Sequence, residues 1–137
     1  MARTIQQTVT FSASPERLYR IYLNPREHAA ACGWGRARIA AKAGGRMALA
    51  PHISGRFLAL ALVPGRLIVQ TWRGANWRKS ELDSVLILTF HRVRGGCRME
   101  MVHANVPDPH VRSITSGWRT YYWTPWKAYL RTRGRRG

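Results

Sequence analysis

Gly117-Trp118-Arg119-Thr120-Tyr121-Tyr122-Trp123-Thr124-Pro125-Trp126-Lys127-Ala128-Tyr129-Leu130 places six aromatic residues in fourteen positions. At the α-helical period, Val111, Ile114, Trp118, Tyr121, Tyr122, Pro125, Trp126 and Tyr129 share one face. Arg112, Ser113, Ser116, Arg119, Thr120, Thr124, Lys127 and Arg131 fall off it, with Trp123 the one large residue on the polar side. The spacing therefore predicts one long helix with a broad aromatic stripe. Asp108 is the expected N-cap and Pro109 the first helical residue. Pro125 removes a helical hydrogen bond and predicts a kink. Such a face needs a large cover, either solid core or the wall of a cavity. A buried tyrosine needs a polar partner, so several on one stripe favour a space holding water or a ligand.

Upstream of this helix the period changes. Thr4 to Phe11 alternates and reads as a strand. Ser14-Pro15-Glu16 is a helix start, with Ser14 as N-cap and Pro15 in the first turn. Leu18, Ile21 and Tyr22 lie on one face of that helix, which Asn24-Pro25 ends. Arg26 to Cys32 forms a second short helix, stopped by Gly33. Strands follow at Ala37–Ala41, Arg46–Ala50, Ile53–Val63, Leu67–Arg73, Ser84–Arg92 and Cys97–Ala104, separated by turns at Gly44-Gly45, Pro64-Gly65 and Arg94-Gly95-Gly96. The order is strand, two short helices, about six strands, one long helix. Tight turns between consecutive strands imply an antiparallel meander, so the fold class is α+β. Residues 1–130 read as a single domain and residues 131–137 as a basic tail expected to be disordered.

The chain has 137 residues, enough for one sizeable core. Its 23 Lys and Arg against 6 Asp and Glu give a net charge of +17. Those charges are spread along the chain, which predicts non-specific electrostatic adhesion to nucleic acid rather than a dedicated interface. Met1 to Thr10 lacks an apolar leader region, and the longest apolar run, Phe57 to Pro64, is too short to insert in a membrane. A cytoplasmic location is the expectation, with Cys32 and Cys97 as reduced thiols.

The ordered set of Phe11-x-Ala13-Ser14-Pro15-Glu16-Arg17-Leu18-Tyr19, Gly44-Gly45-Arg46-Met47, Ile53-Ser54-Gly55-Arg56, Val63-Pro64-Gly65-Arg66-Leu67 with Trp72, Val102-His103 and Gly117-Trp118 with Tyr122-Trp123 resembles the START-like (SRPBCC) superfamily. Within it, the chain resembles the AHSA1-like branch named for the activator of Hsp90 ATPase, over roughly residues 4 to 130. The resemblance implies a helix-grip fold, in which a curved antiparallel sheet of about six or seven strands wraps the long C-terminal helix. It also implies a hydrophobic cavity between them for lipids, polyketides or other apolar molecules. Leu18, Tyr22, Trp72, Met101, Ile114, Trp118, Tyr121 and Tyr122 are the expected wall. An Hsp90-type chaperone, with a link to stress response, is the partner the branch's name brings. Two alternatives stay open: an interaction module using the basic surface, and an enzyme using the cavity.

The residues offer little covalent chemistry and no cofactor motif. His28 and Cys32 have a ligand-like spacing but no further ligands. Cys97 and His103 lie roughly 20 Å apart along one strand. Glu100 would be a base only if it faced inward. Trp72, Arg73, Trp77, Arg78 and Lys79 interleave aromatic and basic character, a pattern that stacks single-stranded nucleic acid when exposed.

Overall fold

The computed structural model describes residues 1–133, without the side chains of residues 56–61 and 133. β1 (Ala2–Phe11) is followed by α1 (Pro15–Leu23) and α2 (Pro25–Cys32). Then come β2 (Arg36–Ile39), β3 (Arg46–Ala50), β4 (Ile53–Val63), β5 (Leu67–Gly74), β6 (Ser84–Val93) and β7 (Gly96–Pro107). The C-terminal part is α3 (Asp108–Gly117), a π-helical turn (Trp118–Trp123) and α4 (Thr124–Arg133), one after another without a break. The start of the basic tail, through Arg133, is thus helical; residues 134–137 lie outside the described residues.

The strands form one antiparallel sheet in the order β1-β7-β6-β5-β4-β3-β2. β1 and β2 are its two edges, so α1 and α2 carry the chain from one edge to the other. Ser14 caps α1 by accepting from the Arg17 N–H at 3.1 Å. Asn24 closes α1 through its backbone and opens α2 by accepting from the Glu27 N–H at 3.0 Å, which lets two short helices meet at one residue. Gly33 ends α2 in the left-handed conformation, φ 78°. Asp108 does not cap α3. It is the first helical residue, Pro107 is the cap, and the Asp108 carboxylate pairs with Arg3 at 2.8 Å.

Period-two burial sets the concave face. Ile68, Gln70 and Trp72 on β5, Ser84, Leu86, Leu88 and Phe90 on β6, and Cys97, Met99, Met101 and His103 on β7 all point inward. The register pairs Ile68 with Leu88, Gln70 with Leu86, Trp72 with Ser84 and Leu86 with His103. Asn105 breaks the phase of β7 with a positive φ of 61° and turns Val106 inward.

Against this face lies the aromatic helix, but its buried set is Trp118, Tyr122, Trp123, Trp126 and Leu130. Tyr121, which the α-helical period places in the stripe, is 55% exposed. Trp123, placed outside it, is buried. The π-helical turn supplies the physical reason. Its i→i+5 bonding, seen where the Thr124 N–H reaches the Arg119 carbonyl, adds one residue to the turn and rotates the helix beyond it. Trp123 then stacks on Trp118 with ring centroids 5.3 Å apart and donates its indole N–H to Gln7 of β1 at 2.7 Å.

Candidate ligand-binding cleft

Two buried histidines fix the π-helical turn to the rest of the molecule. An indole N–H can only donate, so Nδ1 of His103 accepts from Trp118 at 3.1 Å. The His103 proton therefore sits on Nε2 and is donated to Ser84 Oγ at 2.7 Å. The Ser84 hydroxyl in turn donates to the Trp72 carbonyl at 2.8 Å. Both ring nitrogens are used, and burial pushes the His103 pKa down to about 3.

On the other side, Tyr122 donates to His28 Nε2 at 2.9 Å, and His28 Nδ1 donates to the Tyr22 carbonyl at 2.7 Å. Burial pushes His28 down to about 4, against the smaller opposing effect of that carbonyl. Tyr22 donates to Gln70 Oε1 at 2.6 Å. The phenols of Tyr22 and Tyr122 are raised, chiefly by burial. Both hydroxyls thus have partners inside the protein, His28 and Gln70, rather than the water or ligand that the aromatic stripe favours.

A cleft of about 580 Å³ opens beside this turn. Its deep wall is Trp72, Trp77, Trp118 and Tyr122, all buried. Ile53, Gly74, Ile114 and Gly117 fill the sides, and Trp34, His52, Ala75, Asn76, His110, Ser113 and Tyr121 complete the lining toward the mouth. Trp34 packs edge-on against Tyr121 at 5.7 Å and against His52 at 5.4 Å. Its indole N–H donates to the Tyr121 carbonyl at 3.2 Å. Pro125, four residues on, has no N–H to offer that carbonyl.

Of the eight residues expected to form the wall, Trp72, Ile114, Trp118, Tyr121 and Tyr122 line this cleft. Leu18, Tyr22 and Met101 are buried in the core beneath it and are not among its lining residues. No pattern in the sequence marks Trp34 or His52, which reach the mouth only through long-range packing. Trp77, which the sequence offers as part of an aromatic-basic cluster, is one of the deep walls.

At the rim, His110 stacks on Trp77 with centroids 5.1 Å apart and planes 9° from parallel. Its Nε2 meets Glu81 Oε1 at 2.9 Å. The same carboxylate oxygen accepts from the Arg78 N–H at 2.8 Å. His110 first and that N–H second hold the Glu81 carboxyl below the usual range. Ser113 donates its hydroxyl to the His110 carbonyl at 3.1 Å.

The remaining sequence candidates are engaged elsewhere. Cys32 is buried, its thiol pushed up to about 12, mainly by burial. Cys97 is fully buried. Glu100 faces outward and pairs with His91 at 3.2 Å. Trp72 and Trp77 are buried, and Arg73 is spent on Glu81, Asp83 and the Arg78 carbonyl, so this aromatic-basic segment offers no open stacking platform. Among the described residues no three His, Cys, Asp or Glu side chains gather as metal ligands, and no helix is long and apolar enough to cross a membrane.

A curved antiparallel sheet closed on a C-terminal helix, with two short helices after the first strand, defines a START-like helix-grip domain. The family model described as "Activator of Hsp90 ATPase homolog 1-like protein" matches residues 12–131, and the chain belongs to that family. It is similar to the human activator of 90 kDa heat shock protein ATPase homolog 1, 32% identical over 114 residues, which are 82% of this chain and 32% of that one. The chain therefore spans about a third of the length of the curated relatives it matches. A crystal structure of an HSP90 activator from Plasmodium falciparum matches with a TM-score of 0.85 at 18% identity, covering 93% of this chain and 96% of that one. A Chromobacterium violaceum protein matches with a TM-score of 0.72 at 26% identity, over 92% and 96% of the two chains.

Proposed function

We propose that this domain binds an apolar or aromatic small molecule in the cleft between the β4–β5 end of the sheet and the π-helical turn. The observation that carries the reading is the lining: about 580 Å³ walled by Trp72, Trp77, Trp118 and Tyr122, with Trp34 and Tyr121 at the mouth. That volume lies within the range of about 300–1,000 Å³ usual for small-molecule sites. Affinity comes from burial of the ligand's apolar surface, at about 25 cal/mol per Å². The histidine-anchored turn keeps the wall in place before the ligand arrives, which lowers the ordering cost of binding. Native mass spectrometry of the purified protein tests this. A co-purified small molecule that washes out under mild organic solvent supports it. A chain that takes up no member of a panel of uncharged bicyclic aromatics counts against it.

A second reading is favoured by the family match and by the names of the human and Plasmodium relatives. The domain then docks on an Hsp90-type chaperone, with its +17 charge meeting an acidic surface. Salt-sensitive co-precipitation with the purified chaperone supports this reading, and no retention at low salt rules it out.

A further inference from the structure

His110 brings an imidazole with one ring nitrogen unpartnered among the described residues to the lining of the cleft. Glu81 is an acceptor, so the bond at 2.9 Å requires the proton on His110 Nε2. Glu81 is itself fixed by the Arg78 N–H, and Trp77 holds the imidazole plane by stacking. His110 lines the cleft, and among the described residues its Nδ1 has no hydrogen-bond partner. In the neutral form of the ring, a proton on Nε2 leaves Nδ1 with a lone pair. A carboxylate that orients one nitrogen so that the other can take a proton is the same arrangement found in hydrolase triads. Here no nucleophile completes it, because Ser113 is committed to the His110 carbonyl. The result is a directed proton acceptor at the rim of an aromatic cleft.

We propose that His110 recognises the hydroxyl of an aromatic ligand, so that the preferred ligands are phenols and enols rather than plain hydrocarbons or ethers. The aromatic ring lies against the tryptophan wall and the ligand's O–H points to His110 Nδ1. If the proton moves fully, the result is a phenolate held by an imidazolium, with the same atoms and no co-reactant. Glu81 stabilises that second form, since its charge faces the other nitrogen.

This inference rests on the cleft being a ligand site, so its test uses three matched probes: 1-naphthol, 1-methoxynaphthalene and naphthalene. Binding is read by quenching of tryptophan fluorescence. On the wild-type chain 1-naphthol is expected to bind about 5–10-fold more tightly than 1-methoxynaphthalene, the worth of one hydrogen bond. In His110→Phe, which keeps the stacked ring, the preference for 1-naphthol over 1-methoxynaphthalene disappears. The ¹⁵N resonance of His110 Nδ1 in the wild type moves with 1-naphthol and not with the ether, a readout that needs no variant. Equal binding of alcohol and ether, or a preference that survives His110→Phe, overturns the role of His110 and leaves the cleft reading standing. Absence of binding by all three overturns both.

Discussion

Trp118 donates its indole N–H to Nδ1 of His103 at 3.1 Å, and this contact fastens the gripped helix to the sheet that grips it. Burial keeps His103 neutral, and a proton on Nδ1 would face the indole N–H donor. His28 is held neutral chiefly by burial, against the smaller opposing effect of the Tyr22 carbonyl.

Acid should therefore loosen the domain in a defined window. Both histidines have folded pKa values below the unfolded value of about 6.5. Below that pH the unfolded chain binds protons that the folded chain refuses. The stability they contribute is complete above pH 6.5 and is lost as pH falls toward about 4 for His28 and about 3 for His103. Each costs about 1.4 kcal/mol per pH unit within that window. Urea unfolding at pH 7 and pH 5 should show a clear drop in midpoint. Equal midpoints would mean that the histidines are not held neutral.

Tyr22 and Gln70 form a second buried pair, at 2.6 Å, deep under the helix. Tyr22→Phe leaves the Gln70 carbonyl oxygen without its donor and is expected to cost about 1–3 kcal/mol. Adding Gln70→Leu removes the orphaned acceptor, so the double variant should lose less than the two single losses together. Additive losses from chemical denaturation would show that the bond carries no coupling.

Two glycines separate steric need from conformational need. A Cβ on Gly96 would overlap the Phe11 carbonyl oxygen, where β1 pairs with the start of β7. Gly96→Ala should cost more than about 3 kcal/mol, because backbone must move. Gly33 has open space around it but a φ of 78°. Gly33→Ala should cost only about 1–2 kcal/mol. Thermal melts of the two variants give the comparison, and equal losses would contradict it.

Much of this arrangement is legible from residue patterns. Alternation along Leu67–Arg73 puts Ile68, Gln70 and Trp72 on one face, and the sheet uses that face as its concave wall. Ser14-Pro15 and Gly33 mark helix ends that the structure keeps. The helix stripe holds for Trp118, Tyr122 and Trp126 and fails for Tyr121 and Trp123. A projection at constant angle assumes α-helical hydrogen bonds throughout, and nothing local to Trp118–Trp123 announces an added residue in the turn. The polar networks are hidden for a different reason. His28 meets Tyr122 across 94 residues, and His103 meets Trp118 from another element. Only an inward-facing Gln70 in an apolar register hints that the core holds paired polar groups.

The cleft itself is tested most directly at Tyr121, which lines its mouth yet is 55% exposed, so truncation there should leave the fold intact. The measurement is the dissociation constant of 1-naphthol by tryptophan fluorescence for the wild type and Tyr121→Ala, with melting temperatures alongside. Affinity is expected to be at least about fivefold weaker in the variant, roughly 1 kcal/mol, with a melting temperature nearly unchanged. Equal affinity in the two proteins, or no saturable binding to either, would contradict the cleft as the binding site.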